Sequence, residues 1–182
     1  MITSHIDDFF AKAISLGKGL VLAIVCKTRG STYSKTGNYM LISEDGHFSS
    51  LLSGGCLEGD LIEQAKQVLR KGATSIVTYD LSDEDALWGL GAGCNGVMQI
   101  YLHPLISSNN YKPFTLMQEY LIEGKPSVLS IIIDSNLSTG VAGIFIDQTT
   151  GDNAINVIPG AAGKLVPEDI DNQLENLRNS DG

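Results

Sequence analysis

The chain has 182 residues, enough for one sizeable domain or two small modules, and 43% hydrophobic residues with a mean hydropathy of +0.08 point to a packed globular fold rather than a disordered one. Lysine plus arginine number 12 against 21 aspartate plus glutamate, leaving a net charge of -9 and a pI near 4.6; such a field repels a long phosphate backbone and argues against nucleic-acid binding, while a small anion in a local pocket is still permitted. No run approaches the roughly 18 to 20 apolar residues of a membrane span and residues 1–8 lack the basic region of a signal peptide, so a cytoplasmic protein with no membrane partner is expected.

Ser4 followed three places on by Asp7 resembles a capping box, and Ile6, Phe9, Phe10, Ala13 and Ile14 recur on one helical face, predicting a helix over 4–16 that ends at Gly17. Residues 20–26 are a short apolar run rich in branched side chains, the pattern of a buried strand, and Cys26 inside it reads as core rather than chemistry. Residues 29–38 have loop composition and 39–43 return as a strand. Glu44-Asp45-Gly46-His47 reads as a hairpin turn with 48–52 as its partner strand. That strand leads to Ser53-Gly54-Gly55-Cys56, a turn opening an amphipathic helix marked by Leu57, Leu61, Ala65, Val68 and Leu69, with Gly72 as its stop.

A strand is predicted at 75–79, followed by an acidic segment and by Leu87-Trp88-Gly89-Leu90-Gly91-Ala92-Gly93-Cys94-Asn95-Gly96, whose glycines deny it a helix and favour a close backbone loop. Residues 97–102 alternate as a half-buried strand that should end before His103-Pro104. Pro113 starts a helix through Leu116, Met117, Tyr120 and Leu121 to Gly124. Strands are expected at 128–133, 143–146 and 154–158, and a last helix beyond Pro167. The layout of 17–24 is echoed at 124–131, which would make strands of the two halves neighbours in one sheet, although few identities support the repeat. The fold class is therefore α/β, a mixed central sheet with flanking helices.

Two glycine-flanked cysteines, Cys56 and Cys94, are the strongest chemical pairing. If the sheet brings their loops together, two thiols and many amides would line one crevice suited to a soft metal, a sulfur donor or an anionic cofactor. The competing reading is that each cysteine fills a small apolar space beside a tight turn. With an odd count of three and no short pairing pattern, all three are expected as free thiols. Glu58 would cap the helix or act on a proton or cation near Cys56, and Asp60 has the same capping reading. Arg29, Ser31, Thr32, Tyr33 and Lys35 form a partly basic loop fit to meet phosphate, or a solvated turn. There is no G-x-x-x-x-G-K-[ST] loop, the glycines near Cys94 precede a strand rather than a helix, and His5, His47 and His103 make no short metal motif. Tyr79 and Trp88 could wall a planar ligand, but Trp88 reads more simply as a core or interface anchor.

At Gly30-Ser31-Thr32-Tyr33, Met40-Leu41-Ile42, Ser53-Gly54-Gly55-Cys56-Leu57-Glu58 and Trp88-Gly89-Leu90-Gly91-Ala92-Gly93-Cys94-Asn95-Gly96 the chain resembles the XdhC/CoxI family, over about residues 10 to 105. The resemblance implies an XdhC/CoxI-like domain over 1–106, with 107–182 continuing the same α/β unit or marking a truncated second-domain boundary. It implies a cytoplasmic accessory protein, or chaperone, that binds molybdenum cofactor (molybdopterin), assists its sulfuration through a partner sulfurtransferase and delivers it to an apo-molybdoenzyme such as xanthine dehydrogenase or carbon monoxide dehydrogenase. On that reading Cys56 and Cys94 contact the cofactor or its transferable sulfur, Gly54, Gly55 and Gly93 shape the loops, and Glu58 and Asn95 are secondary candidates. Arg29 and Lys35 meeting the pterin phosphate is an inference from charge. Ser34-Lys35-Thr36 stands where the family often has a proline and a further arginine, and the commonly associated Rossmann domain is not among these residues, so a truncated or naturally short chain is expected. A cysteine-dependent sulfur transferase and a non-catalytic interaction domain are the alternatives, and a homo-oligomer is left open.

Overall fold

A computed structural model describes residues 5–81, 96–123, 127–132, 141–146 and 153–158. The elements in order are α1 (His5–Ser15), β1 (Leu20–Gly30), β2 (Tyr39–Ser43), α2 (Glu58–Lys71), β3 (Ser75–Asp80), β4 (Gly96–Leu105), a short 3-10 turn (Ser107–Asn109), α3 (Phe114–Glu123), β5 (Ser127–Ile132), β6 (Val141–Ile146) and β7 (Asn153–Ile158). The first four strands form one sheet in the order β2-β1-β4-β3, and every pairing in it is antiparallel. This is an α/β fold with a central antiparallel sheet flanked by helices.

β1 lies inside the sheet and is buried on both faces over residues 20–26, which is why its sequence is a continuous apolar run instead of an alternation. Val21, Ala23 and Val25 join Met98, Ile100 and Leu102 of β4 under Leu61, Ala65 and Val68, the apolar stripe of α2, and under Leu57 just before it. Leu20, Leu22 and Ile24 face the other way, against Phe10 and Ala13 of α1 and Phe114 and Met117 of α3. Gln118 donates to Asp7 at 2.7 Å, tying α3 to α1. α2 stops as predicted at Gly72, whose φ of 62° is left-handed and whose amide donates to Val68 at 2.9 Å.

Four expectations are corrected. β1 runs on to Gly30, because β4 remains its partner through Arg29↔Val97 and Gly30↔Gly96 beyond a bulge at Cys26. Residues 48–52 do not pair as a strand: after the bridge Ile42↔Phe48, the Leu41 amide donates to the Ser49 hydroxyl at 2.9 Å instead of a backbone carbonyl, and the ladder ends. β4 continues through His103 and Pro104 to Leu105. Its pairing with β3 ends at Ser75↔Leu102, so Pro104 sits where that side of β4 needs no donor. Finally, β5, β6 and β7 form a separate three-stranded antiparallel sheet, so the strands of the two halves are not neighbours in one sheet. The Ser4 cap, Gly124, and the helix beyond Pro167 lie outside the described residues.

Leu61 is fully buried between α2 and the sheet, so Leu61→Ala should cost about 2–5 kcal/mol. Urea unfolding should show a lower midpoint at an unchanged slope.

Candidate functional site

The segment between β2 and α2 is organised by one carboxylate. Glu58, the first residue of α2, is buried at 3% exposure, and its two oxygens turn back onto the chain that precedes them. Oε1 accepts from the amides of Leu52 and Ser53, each at 2.9 Å, while Oε2 accepts from the Gly55 amide at 3.0 Å and from the Ser53 hydroxyl at 2.5 Å. Ser53 Oγ in turn accepts from the Leu57 amide at 2.8 Å. Burial alone would push the Glu58 carboxyl up; the bonds from the Ser53 hydroxyl and from the Ser53 and Leu52 amides outweigh it and hold the group below its ordinary value of 4.5. Four amides of this turn are therefore satisfied from within, at Leu52, Ser53, Gly55 and Leu57. Glu58 acts as a clamp on the loop. A proton shuttle or cation ligand at that position would have to break the set.

Gly54 and Gly55 make the reversal possible, with φ of 76° and 114°. Cys56 follows them, half-buried against the core under α2, with its thiol donating to the Ser53 carbonyl at 3.4 Å. Among the described residues, a Cβ at Gly55 or Gly59 would meet nothing within 4 Å. Asp60 accepts from the buried Tyr79 hydroxyl at 2.6 Å. Burial first, and then this carboxylate, push the Tyr79 phenol up, and its place in the core removes it from the wall of any ligand site.

The loop after β1 meets this turn. The Tyr33 ring lies against Gly54, where an added Cβ would come within 3.2 Å of its Cε2. On the other side, a Cβ at Gly96 would lie 2.6 Å from the carbonyl oxygens of both Arg29 and Ser31, so the start of β4 can approach the end of β1 only as glycine. Leu81 donates to the Gly96 carbonyl at 2.8 Å, closing the β3 and β4 ends together. Three separated stretches of sequence thus converge. Cys94, Gly93, Asn95 and Trp88 lie outside the described residues.

Arg29 and Lys35 are exposed, and among the described residues neither forms an ion pair. Directly paired residues share a sheet face, and Thr28↔Met98 faces α2 because Met98 is in the core beneath that helix. Arg29, one residue on, projects from the opposite face to the one that α2 and Cys56 cover. Cys26 is the extra residue of the bulge in β1, with its thiol donating to the Gln99 carbonyl at 3.3 Å, and burial pushes that thiol up to about 11. Cys26 and Cys56 are both free. His47 sits on the exposed turn beside Asp45, and His103 packs half-buried beside Tyr101 at the far end of β4. Among the described residues no group of three or more His, Cys, Asp or Glu side chains is placed to hold a metal ion.

The family model described as "XdhC and CoxI family" matches residues 13–80, which include the whole Ser53–Glu58 turn. The N-terminal region of this chain matches the XdhC and CoxI family. Similarity to curated proteins extends the match. The chain is 33% identical over 117 residues to a probable xanthine dehydrogenase subunit of Bacillus subtilis (strain 168), and 29% identical over 119 residues to the molybdenum cofactor insertion chaperone PaoD of Escherichia coli (strain K12). These alignments cover 64% and 65% of this chain but 35% and 36% of the relatives, so the chain spans about a third of their length. A crystal structure of a xanthine dehydrogenase from Bacillus halodurans superposes with a TM-score of 0.60 at 31% identity, covering 85% of this chain and 45% of that one. The XdhC and CoxI match is therefore carried by sequence and by fold.

Sequence reasoning named Cys56 and Glu58 and gave Glu58 either a helix cap or a role on a proton or cation near Cys56; the structure bonds its carboxylate to the preceding turn instead. The signal for its clamping role is a serine five residues before a glutamate across a glycine pair. Glu58→Gln should cost about 1–3 kcal/mol at pH 7, measured by chemical denaturation, because it removes the charge from a set of bonded donors. The carboxyl is lowered in the folded state, so this stability is present above the ordinary value of 4.5 and is lost as pH falls through the folded value; the difference between variant and parent should shrink in acid. For the thiols, Cys56→Ser should remove a fast-reacting group in a thiol titration at pH 8, whereas Cys26→Ser should leave the fast phase unchanged.

Proposed function

We propose that this chain binds molybdenum cofactor in the cytoplasm and passes it to an apo-molybdoenzyme of the xanthine or carbon monoxide dehydrogenase type, as a maturation factor and not as an enzyme turning over a metabolite. The observation that carries this reading is Cys56. A soft sulfur donor stands on a glycine turn clamped by Glu58, where no other described residue comes within reach of a Cβ at Gly55 or Gly59, inside the segment that matches the XdhC and CoxI family. Association of that family with handling of this cofactor is supported by the similarity to an insertion chaperone.

The residues present fit such a group. Cys56, together with Cys94 from the glycine-rich stretch, would hold its sulfur-rich end, and Gly54, Gly55 and Gly93 would let the backbone come close. Arg29 and Lys35 carry the local positive charge in an acidic chain, and Lys35 is on the loop that reaches Gly54 through Tyr33. Arg29 leaves the sheet on the other face, so it would meet an anionic group only around the end of β1. When bound, the cofactor supplies the redox chemistry of the target enzyme; the chain supplies holding and exclusion of solvent. A sulfurtransferase partner would meet the same cysteine-bearing turn.

Adding molybdenum cofactor anaerobically to the chain and to Cys56→Ala and Cys94→Ala, then measuring retained molybdenum and pterin, tests the reading. The parent should retain both components and each variant should lose most of them. Equal, negligible retention by all three would sink an autonomous cofactor site. Accumulation of a persulfide on Cys56, with sulfur passed onward, would instead make transfer the activity of this turn.

A further inference from the structure

Tyr33 is 61% exposed, yet the loop that carries it is closely held. Thr32 and Ser34 on either side of it are buried, with the Thr32 hydroxyl donating to the Ser34 carbonyl at 2.8 Å. The loop is closed behind them, since the Val25 amide donates to the Asn38 carbonyl and the Gly37 amide to the Val25 carbonyl, each at 2.9 Å. A buried, exposed, buried alternation in a braced loop presents one large aromatic ring outward in a set position, and the core takes no part of it.

The ring lies against Gly54 along its Cδ2–Cε2 side. Gly54 supports it, and a side chain there would strike its Cδ2 and Cε2 atoms at 3.3 and 3.2 Å. Gly54 is two residues before Cys56 in the same clamped turn. An exposed aromatic ring held in place beside a glycine can receive a flat heterocycle, because the contact needs a π-face and no matched hydrogen bonds. We propose that Tyr33 is a stacking surface for the planar pterin ring of the ligand whose sulfur-rich end is held at Cys56. The inference rests on the cofactor-handling reading and adds to it the group that recognises the ring.

The test uses the full chain and a sulfur-free, metal-free probe, pterin-6-carboxylate, whose fluorescence is quenched on stacking. Parent, Tyr33→Phe, Tyr33→Ala and Cys56→Ser are titrated, with molybdenum retention measured on the same four proteins. Tyr33→Phe should bind the probe like the parent, since the ring is kept. Tyr33→Ala should bind it about tenfold more weakly, the size of one lost aromatic stacking contact. Cys56→Ser should leave probe binding unchanged, because the probe offers that thiol nothing. The exposed position means that Tyr33→Ala should unfold at the same temperature as the parent. Equal affinity of Tyr33→Ala and parent, or no binding of the probe by the parent, overturns the stacking role. Molybdenum retention that depends on Cys56 and not on Tyr33 overturns it too, while leaving the cofactor reading intact; absence of retention from the parent defeats that reading itself.

Discussion

The candidate site depends on a charge taken out of water. Glu58 is buried beside the core under α2, and an ionised carboxylate in that position is tolerated because three amides and a hydroxyl replace its hydration shell. Its placement at the start of α2 adds the favourable end of the helix dipole. The clamp converts a glycine pair, the most pliable backbone a chain can have, into a turn with one shape. Cys56 is held out at the edge of the core as a consequence, and its thiol direction follows from the Ser53 carbonyl that it meets.

The sheet order gathers the rest. With β1 and β4 adjacent at the centre, the end of β1 and the start of β4 are forced to touch, and Gly30 against Gly96 makes room for that approach. Tyr33 then links the same corner to Gly54. Two cores divide the labour: the one under α2 seats the turn bearing Cys56, while the one under α1 and α3 closes the other face of the same strands. The contrast between Cys26 and Cys56 follows from these positions. One thiol is enclosed in a strand bulge and driven toward its neutral form; the other stands half-buried in a glycine turn.

Charge in this corner is local. The chain is acidic overall, yet the end of β1 carries Arg29 and the loop after it Lys35, and α2 uses its first-turn acids internally, Glu58 on the turn and Asp60 on Tyr79. Acid groups that would otherwise oppose an anionic ligand are thereby turned inward. The register of β4 against β1 nevertheless puts Arg29 on the face opposite the one that α2 covers, while Tyr33 in the following loop lies against Gly54.

The chain by itself determined most of the elements near the site. The apolar run of β1, the stripe and glycine stop of α2, and the glycine-cysteine turn before it are local signals, because periodicity and backbone permissiveness act over a few residues. Family motifs marked Cys56 together with Cys94 as candidate cofactor contacts. Pairing partners were beyond that reach: that β1 stays in the sheet to Gly30, that β4 passes through Pro104, and that the later strands form a separate sheet all depend on which edges are occupied. The role of Glu58 was decided in the same way, since its charge and position suited a helix cap equally well. Only the fold of the preceding residues, bringing the Leu52, Ser53 and Gly55 amides around one carboxylate, made it the clamp of the turn.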